Sequence, residues 1–281
     1  MAHIQLCLFA AEPDIAGLGF IVKVLTGTLE ELAARAVAWN FDGIEFMPNP
    51  DRVADPAAVA RVLKAAGAAM PVVNSGRMVV QGYALVHQDA SVRRRSTDAY
   101  KRLLDFAGHF GARVGLGAAR GPGIPGASVE EMESIAGEVF TELAQHAAKC
   151  GAVIMLEPAD PGVTSFINTV DEAMAWVDRI ASPAFSVMLD TYELADSEPS
   201  IEHGIRAARG QARHIHLYDP SRWPPGVLEE GSRLDWLHIM RLLREEQFAG
   251  SASVVVAPEG DIESAARKSA AFLRRLMRTV V

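Results

Sequence analysis

The sequence predicts a single (β/α)8 barrel, and three observations support this fold class. Short apolar runs alternate with amphipathic segments along the whole chain of 281 residues, which gives eight strands and eight helices. No linker or low-complexity segment divides the chain, so one domain over residues 1–281 is expected. Barrels of this class commonly have this length. An open doubly wound sheet is disfavoured, because no Gly-x-Gly-x-x-Gly turn follows the first strand.

Each predicted strand is a short apolar run bounded by glycine, proline or polar residues, as expected for parallel strands that are buried on both faces. In chain order the strands cover residues 3–9, 42–47, 71–74, 112–117, 151–157, 185–190, 212–219 and 253–257. The fifth strand shows the pattern most clearly, because five apolar residues lie between Gly151 and Glu157 and Pro158 ends the run. A carboxylate therefore stands at the C-terminal end of this strand.

The predicted helices show apolar periodicity with helix-start signals. Two of them begin with a capping box, Thr28 with Glu31 and Ser128 with Glu131, and a third has Pro56 in its first turn. In chain order the helices cover residues 28–39, 56–66, 91–110, 128–150, 169–180, 199–208, 234–246 and 262–277.

The composition excludes several classes of partner. The net charge is −8 and the pI about 5.5, so no extended nucleic-acid-binding surface is expected. Cys7 and Cys150 are too few and too far apart for a disulfide framework, which is typical of a reducing compartment. No apolar run reaches the roughly 18 residues of a membrane span, and residues 1–11 lack the basic region of a signal peptide. We therefore expect a cytoplasmic protein with no membrane partner.

Three successive predicted strands end in a side chain that can bind a metal ion, namely Glu157, Asp190 and His216. Because the C-terminal ends of barrel strands form one mouth, we expect these side chains to converge. Two carboxylates and one imidazole suit Mn²⁺, Co²⁺, Mg²⁺, Fe²⁺ or Zn²⁺ without choosing among them. The alternative is that each carboxylate caps a neighbouring helix or pairs with an arginine. His214 shares a strand face with His216 and is expected to pack beside it or support it.

Other strand-end residues are candidates for contact with a substrate. Glu45 would either contact it or brace the barrel mouth, and Arg120 would either bind it or pair with a strand-end acid. Arg222 would bind substrate oxygens or pair with Asp219. The residues assigned to the substrate side are Glu45, Asn74, Arg120, Arg222, His214 and Asp219.

Several short motifs follow one another along the chain, most of them at or just after the predicted strand ends. They are Phe41-Asp-Gly-Ile-Glu45, Leu156-Glu157-Pro158, Leu189-Asp190-Thr-Tyr, His214-Ile-His216-Leu-Tyr-Asp219, Arg222-Trp-Pro-Pro-Gly226 and Pro258-x-x-Asp261 with Ala265-Ala-Arg267. In these motifs the chain resembles, from end to end, the sugar phosphate isomerase/epimerase family of xylose isomerase-like TIM barrels, within the AP endonuclease 2 superfamily. The resemblance implies a divalent metal held by residues of strands five to eight and a carbohydrate-like hydroxy-ketone substrate, while glutamates move protons. Related barrels are often dimers or tetramers, so the resemblance also allows a homo-oligomer.

The chain departs from this family pattern at the eighth strand. The family usually has a glutamate ligand five residues after a glycine, and counting from Gly250 leads to Val255. Glu259, four residues further on, is a candidate for a displaced replacement with a catalytic role. Without either glutamate, the metal site would be weakened or lost.

Two further departures lie near strands five and six. The family's Asp-x-x-His motif reads Asp190-Thr-Tyr-Glu193, so Glu193 is a candidate fourth metal ligand beside Glu157, Asp190 and His216. The polar motif expected after Leu-Glu-Pro is replaced by Ala-Asp-Pro-Gly at residues 159–162.

The resemblance and its departures together predict a reaction class. Epimerisation in the family uses two opposed glutamates, and Val255 removes the obvious second one. A one-base reaction remains, in which Glu157 takes a proton next to a carbonyl while the metal stabilises the enediolate. We therefore expect a metal-dependent isomerase or lyase acting on a sugar, keto-polyol or related hydroxy-carbonyl compound. The alternatives are a two-base ketose 3-epimerase that uses Glu259 and a non-catalytic barrel subunit. A DNA-directed AP endonuclease is disfavoured, because the chain lacks a basic groove.

Overall fold

The computed structural model describes residues 4–15, 24–227, 232–255 and 261–280, which form a closed parallel barrel surrounded by helices. The barrel closes because β1 (Gln5–Ala11) pairs with both β3 (Gly43–Met47) and β9 (Ser251–Val254). A two-residue strand, β2 (Leu25–Thr26), pairs with the end of β1. The remaining barrel strands are β4 (Ala69–Val73), β5 (Arg113–Leu116), β6 (Val153–Leu156), β7 (Phe185–Asp190) and β8 (Ala212–Leu217). The predicted (β/α)8 barrel is confirmed.

The helices lie between the strands in chain order. They are α1 (Leu29–Ala38), α2 (Pro56–Ala66), α3 (Arg77–Val80), α4 (Ala90–Gly108), α5 (Val129–Cys150), α6 (Val170–Ile180), α7 (Thr191–Ser197), α8 (Ile201–Ala207), α9 (Trp236–Glu245) and α10 (Ile262–Thr279). Short 3-10 helices follow β1 and β5, at Pro13–Ile15 and Ala118–Arg120. Among the described residues, no helix combines the length and the apolar character that a membrane crossing requires.

Local sequence signals explain where the helices begin and end. Both predicted capping boxes are present at the starts of α1 and α5, and a third joins Thr169 to Glu172 at the start of α6. In each, a hydroxyl and a carboxylate satisfy main-chain N–H groups that would otherwise lack partners. The long helix α5 ends at Gly151, whose left-handed conformation turns the chain directly into β6.

Three elements differ from those predicted. The sequence predicts a helix at residues 199–208, where α8 forms, but no helix where α3 and α7 form, because four and seven residues carry too little periodicity to be recognised. Strand eight was expected at residues 253–257, whereas β9 begins at Ser251 and its described part ends at Val254. Small polar residues start this strand because its inner face meets a polar interior, so an apolar run marks it poorly.

Alternation along the strands separates two packing regions. Residues such as Leu8, Ile44 and Ile154 face outward and form the main core with the helices. A small inner cluster contains Val72, Met155 and Met188, and a second cluster at the C-terminal ends of the strands contains Phe9, Ala11, Ile15, Val24, Met47, Tyr218 and Val255. The barrel is therefore filled by side chains, and its mouth has one apolar side.

Candidate metal and catalytic site

Three predicted ligands meet at the C-terminal mouth of the barrel. His216 Nδ1 lies 3.2 Å from Glu157 Oε1 and 3.4 Å from Asp190 Oδ2. One ligand atom from each of these side chains falls within 4.8 Å of the other two. The carboxylates retain 18% and 14% side-chain exposure, so the cluster is reachable from solvent. The structure thus brings together the residues that the strand ends predicted.

Strand register and a helix cap set this geometry. Asp190 and His216 are paired residues of the adjacent strands β7 and β8. Asp190 is also the N-cap of α7, and its Oδ1 accepts the N–H of Tyr192 at 2.7 Å, so only Oδ2 faces His216. The sequence also allowed that each strand-end carboxylate caps a helix, and Asp190 does so while it faces His216.

Glycine at position 117 creates the space for Glu157. A Cβ atom built on Gly117 would lie 2.2 Å from Glu157 Oε2, closer than real contacts allow. Because Oε1 faces His216 and Oε2 lies over Gly117, the two carboxylate oxygens have different surroundings. Sequence reasoning did not single out Gly117, although its place at the end of the fourth predicted strand was visible.

A buried carboxylate holds His216 from the other side. Glu45 on β3 is fully buried, and His216 Nε2 lies 3.0 and 3.1 Å from its two oxygens. His214 Nε2 donates to the same carboxylate at 3.0 Å, while Ser251 Oγ donates to His214 Nδ1 at 2.7 Å. Asn74 Nδ2 also donates to Glu45, at 2.6 Å. Glu45 therefore braces the mouth, and Nδ1 of His216 is turned toward Glu157 and Asp190.

The charges of this network follow from burial and pairing. Burial lowers the pKa of His214 below its usual value, so it is neutral. For His216 burial acts in the same direction, but the charge of Glu45 and hydrogen bonds to Asp190 and Glu157 outweigh it and raise the pKa. Burial tends to raise the pKa of Glu45, yet the two histidines hold it well below the usual range. Without a bound cation, an imidazolium at His216 neutralises part of the negative charge at the mouth.

Glu193 lies beside this cluster in the first turn of α7. Burial, followed by the charges of Asp190 and Glu157, raises the pKa of Glu193 to about 8. Its Oε2 is buried without a hydrogen-bond partner, and so is Ser253 Oγ on the strand position that pairs with His216. Such groups are costly unless a water, ion or ligand satisfies them.

Arg120 is fully buried below the mouth. Its guanidinium donates to the carbonyls of Glu157 at 2.7 Å, Ile167 at 2.8 Å and Gly117 at 3.0 Å. Burial lowers its pKa to about 10, and the carboxylate of Glu157 opposes that shift. In this arrangement Arg120 clamps the main chain that carries Glu157.

The loop after β8 carries Asp219 and Arg222. Asp219 is buried, and its carboxylate accepts hydrogen bonds from Ser221, Ser232 and Arg233. Arg222 has a left-handed backbone, and its main-chain N–H donates to the Asp219 carbonyl at 2.7 Å. Asp219 therefore holds this loop in place, because both its carboxylate and its main-chain carbonyl accept hydrogen bonds from loop residues.

The apolar side of the mouth includes Val255, which stands where the family pattern has a glutamate. Val255 directly follows β9 and is 4% exposed, packed with Phe9, Met47 and Tyr218. By alternation it shares the inner face of Ser251 and Ser253. Glu259, the suggested replacement, lies outside the described residues.

The donor set fits a divalent cation. Two carboxylate oxygens and a histidine nitrogen converge, and the second nitrogen of that histidine is fixed by a carboxylate, as is typical of metal-binding histidines. A second group, Glu45 with His214 and His216, is also close enough. Because Glu45 and His214 are wholly buried and already hydrogen-bonded to each other, this second group serves as the support of the first.

Comparison with known proteins identifies the relatives of this chain. The sequence profile of the family described as xylose isomerase-like TIM barrel matches residues 33–276. A D-psicose 3-epimerase of Enterocloster bolteae is 33% identical over 111 residues, which is 40% of this chain and 36% of the relative. An L-ribulose 3-epimerase of Methylomonas sp. is 26% identical over 126 residues, 45% of this chain and 43% of the relative.

These matches span less than half the length of the curated relatives. The structural match is longer. The crystal structure of an Escherichia coli 3-keto-D-glucoside 4-epimerase superposes with a TM-score of 0.78 over 97% of this chain and 100% of that one, at 19% identity. At this identity the superposition supports the fold, and the sequence matches indicate kinship with ketose epimerases.

Proposed function

We propose that this chain, which belongs to the xylose isomerase-like TIM barrel family, is a divalent-metal-dependent isomerase or epimerase of small keto-sugars. The observation that carries the proposal is the convergence of Glu157, Asp190 and His216, with Glu45 fixed behind His216. The family membership expected from the sequence is confirmed, and the relatives named above act on ketoses or keto-glycosides.

In this proposal Glu157 Oε1, Asp190 Oδ2 and His216 Nδ1 hold the metal. The ions compatible with this donor set are Mn²⁺, Co²⁺, Mg²⁺, Fe²⁺ and Zn²⁺. A divalent cation there would stabilise the negative charge that develops on the substrate oxygen when a neighbouring proton leaves. Glu193 lies outside the group of ligand atoms within 4.8 Å of one another. As a fourth ligand its side chain would have to move toward the ion, and its buried Oε2 has no hydrogen-bond partner that would oppose this.

Proton removal is assigned to Glu157. Its Oε2 packs over Gly117 and is not the oxygen that faces His216, so we assign this oxygen to accept a proton from a carbon next to the carbonyl. The clamp of Arg120 on the Glu157 carbonyl fixes the approach of that carboxylate. We assign Arg120, Glu45 and His214 to positioning and Asp219 to shaping the β8 loop. Asn74 and Arg222 remain the candidates for contact with substrate oxygens.

The return of the proton decides the product. If Glu157 delivers it to the adjacent carbon on the same face, the result is aldose–ketose isomerisation; elimination of a β-hydroxyl instead would make the chain a lyase. Epimerisation needs an acid on the opposite face, and Val255 offers none. Glu193 is one candidate acid if it does not bind the metal, because burial is the main cause of its raised pKa. Glu259 is the other. The names of the relatives favour epimerisation.

The wider organisation belongs to the same proposal. We assign the chain to one barrel domain over residues 1–281, acting in the cytoplasm as a homo-oligomer on a small carbohydrate-like substrate. The acidic composition disfavours nucleic acid as a partner.

The first test is metal content, measured by inductively coupled plasma mass spectrometry on protein purified without added metal. We expect the wild type to contain one equivalent more than Glu157→Ala/His216→Ala, whereas Glu142→Gln, an exposed change on α5, should match the wild type. Equal metal content in wild type and double variant, with no thermal shift on adding Mn²⁺, would refute the metalloenzyme and leave a binding subunit.

The second test is product analysis. Incubation of ketoses with Mn²⁺-loaded protein in D2O, followed by NMR, should show deuterium at the carbon next to the carbonyl. A C3 epimer would identify an epimerase, an aldose would identify an isomerase, and loss of water would identify a lyase. Unchanged ketoses and keto-glycosides without deuterium would contradict the proposed chemistry.

A further inference from the structure

A second group of potential metal ligands lies on the outside of the barrel, between α4 and α5. His146 Nε2 is 2.7 Å from Asp105 Oδ1, and Cys150 Sγ completes a set whose ligand atoms all lie within 4.8 Å of one another. His146 and Cys150 are four residues apart on α5, so they present their ligand atoms on one helix face. None of these side chains takes part in the site at the mouth.

The seam between the two helices is closely fitted at this point. One turn earlier, Lys101 Nζ on α4 pairs with Glu142 Oε1 on α5 at 2.6 Å. At the other end, a Cβ atom on Gly108 would lie 2.1 Å from the Cys150 carbonyl oxygen, so only glycine permits this approach. Cys150 Sγ itself donates to the Leu104 carbonyl of α4 at 3.4 Å. The backbones that carry the ligands are therefore held in place before any ion binds.

We propose that Asp105, His146 and Cys150 form a second metal site, selective for a thiolate-preferring ion such as Zn²⁺, that joins α4 to α5. One sulfur, one nitrogen and one oxygen are a usual zinc donor set, with water in the fourth position. Bonds of about 2.0 Å in a tetrahedral site place a nitrogen and an oxygen ligand about 3.3 Å apart. The Asp105–His146 contact, now 2.7 Å, would therefore open by about 0.6 Å, which the half-exposed Asp105 can allow.

The electrostatics agree with this assignment. Burial raises the pKa of the Cys150 thiol, and the negative charge of Asp105 raises it further. A cation placed between the two groups would reverse the second effect and take the place of the thiol proton. Cys150 also lies three residues before β6, at the barrel end opposite the mouth. An ion here would stabilise the fold rather than take part in the reaction.

Cobalt substitution tests the site, because a thiolate bound to Co²⁺ gives a charge-transfer band in the near ultraviolet. The ligands proposed at the mouth, Glu157, Asp190 and His216, bind through oxygen and nitrogen, so that site would not produce this band. Titration of the reduced wild-type protein with Co²⁺ should produce the band, and two equivalents of Zn²⁺, enough for both sites, should remove it. Cys150→Ser should lack the band, whereas Cys7→Ser, which changes the other cysteine, and Glu157→Ala/His216→Ala should keep it. Absence of the band in the wild type, or its survival in Cys150→Ser, would overturn the proposal.

A stability measurement separates the site from an inert His146–Asp105 pair. Zn²⁺ should raise the Tm of Glu157→Ala/His216→Ala by several degrees and leave that of the same protein carrying His146→Gln unshifted. Circular dichroism would establish that both variants are folded. Equal Zn²⁺-induced shifts in the two proteins would show that the helix pair binds no metal. The outcome is independent of the reaction at the mouth.

Discussion

His216 Nε2 lies between the two oxygens of the Glu45 carboxylate, 3.0 Å from one and 3.1 Å from the other. These residues are 171 positions apart, and the contact turns Nδ1 of His216 toward Glu157 and Asp190. A carboxylate that holds the far nitrogen of a metal-binding histidine fixes the ring and raises its basicity.

Glu45→Gln should therefore weaken metal binding by about 10- to 100-fold. The amide has a single acceptor oxygen, so it cannot satisfy His214, His216 and Asn74 together. Isothermal titration with Mn²⁺ would measure the change, with Glu142→Gln as the matched exposed control. Unchanged affinity in Glu45→Gln would show that Glu45 does not orient His216.

Gly117→Ala should displace the Glu157 carboxylate, because the new methyl group would lie 2.2 Å from Oε2. We expect loss of metal binding and at least about a 100-fold fall in turnover, since misplacement by about 1 Å has that effect. Gly115→Ala is the matched control two residues earlier, within β5, where the added Cβ meets only the flexible Met188 Sδ at 3.3 Å. Similar losses in both variants would point to general damage to β5.

Arg120→Met should lower the free energy of unfolding by about 3 kcal/mol or more, because buried carbonyls lose their donors. Among these are the carbonyls of Glu157, Ile167 and Gly117. Urea unfolding of metal-free protein would measure the loss. Arg179→Met is the control. That half-exposed arginine pairs with Glu133 at the surface, so its loss should change the free energy of unfolding by under about 1 kcal/mol. Equal effects would argue against the clamp.

Val255→Glu should restore a carboxylate at the strand-eight position and strengthen Mn²⁺ binding relative to Val255→Gln, which has the same shape without the charge. Without metal, both variants should be less stable than the wild type, because Val255 packs against Phe9 and Met47. Metal titrations and thermal unfolding with and without Mn²⁺ would measure both effects. Equal Mn²⁺ affinity in the two variants would show that position 255 does not face the metal.

The surroundings of Asp14 predict that part of the folding stability is lost at acid pH. Asp14 accepts two hydrogen bonds from the buried Arg77, at 2.6 and 2.7 Å, and also pairs with Arg52. These bonds, led by those of Arg77, lower the pKa of Asp14. The folded state therefore binds this proton less readily than the unfolded chain does. The stabilisation is complete above the ordinary pKa of about 3.9 and is lost as pH falls through the lower folded value.

The difference in unfolding free energy between wild type and Asp14→Asn should thus be largest near neutral pH and shrink below pH of about 4. Urea unfolding across this range would measure it. Arg77→Gln removes the main partner and should reduce the pH dependence of the Asp14→Asn effect to the part that Arg52 supplies. A difference that stays constant through the acid range would contradict this account.

Part of this architecture could be predicted from sequence, because burial on both faces leaves apolar runs of recognisable length. Glu157, Asp190 and His216 follow such runs, so their meeting at one mouth follows from parallel strand order. The sequence left open whether Glu45 contacts substrate or braces the mouth. Its contact with His216 could not be predicted, since it depends on the closed barrel bringing β3 and β8 across from each other. Nor could the clearance over Gly117 be predicted, since it depends on interatomic distances.

The cap of α7 sets the denticity of Asp190. With Oδ1 held by the Tyr192 N–H, this carboxylate can supply one metal bond instead of two. A cation at the mouth would then keep a coordination position open that a chelating carboxylate would fill. Unwinding the first turn of α7 would free that oxygen, so helix formation and coordination number are coupled. The cap of a seven-residue helix would thereby affect how many substrate oxygens an ion at the mouth could accept.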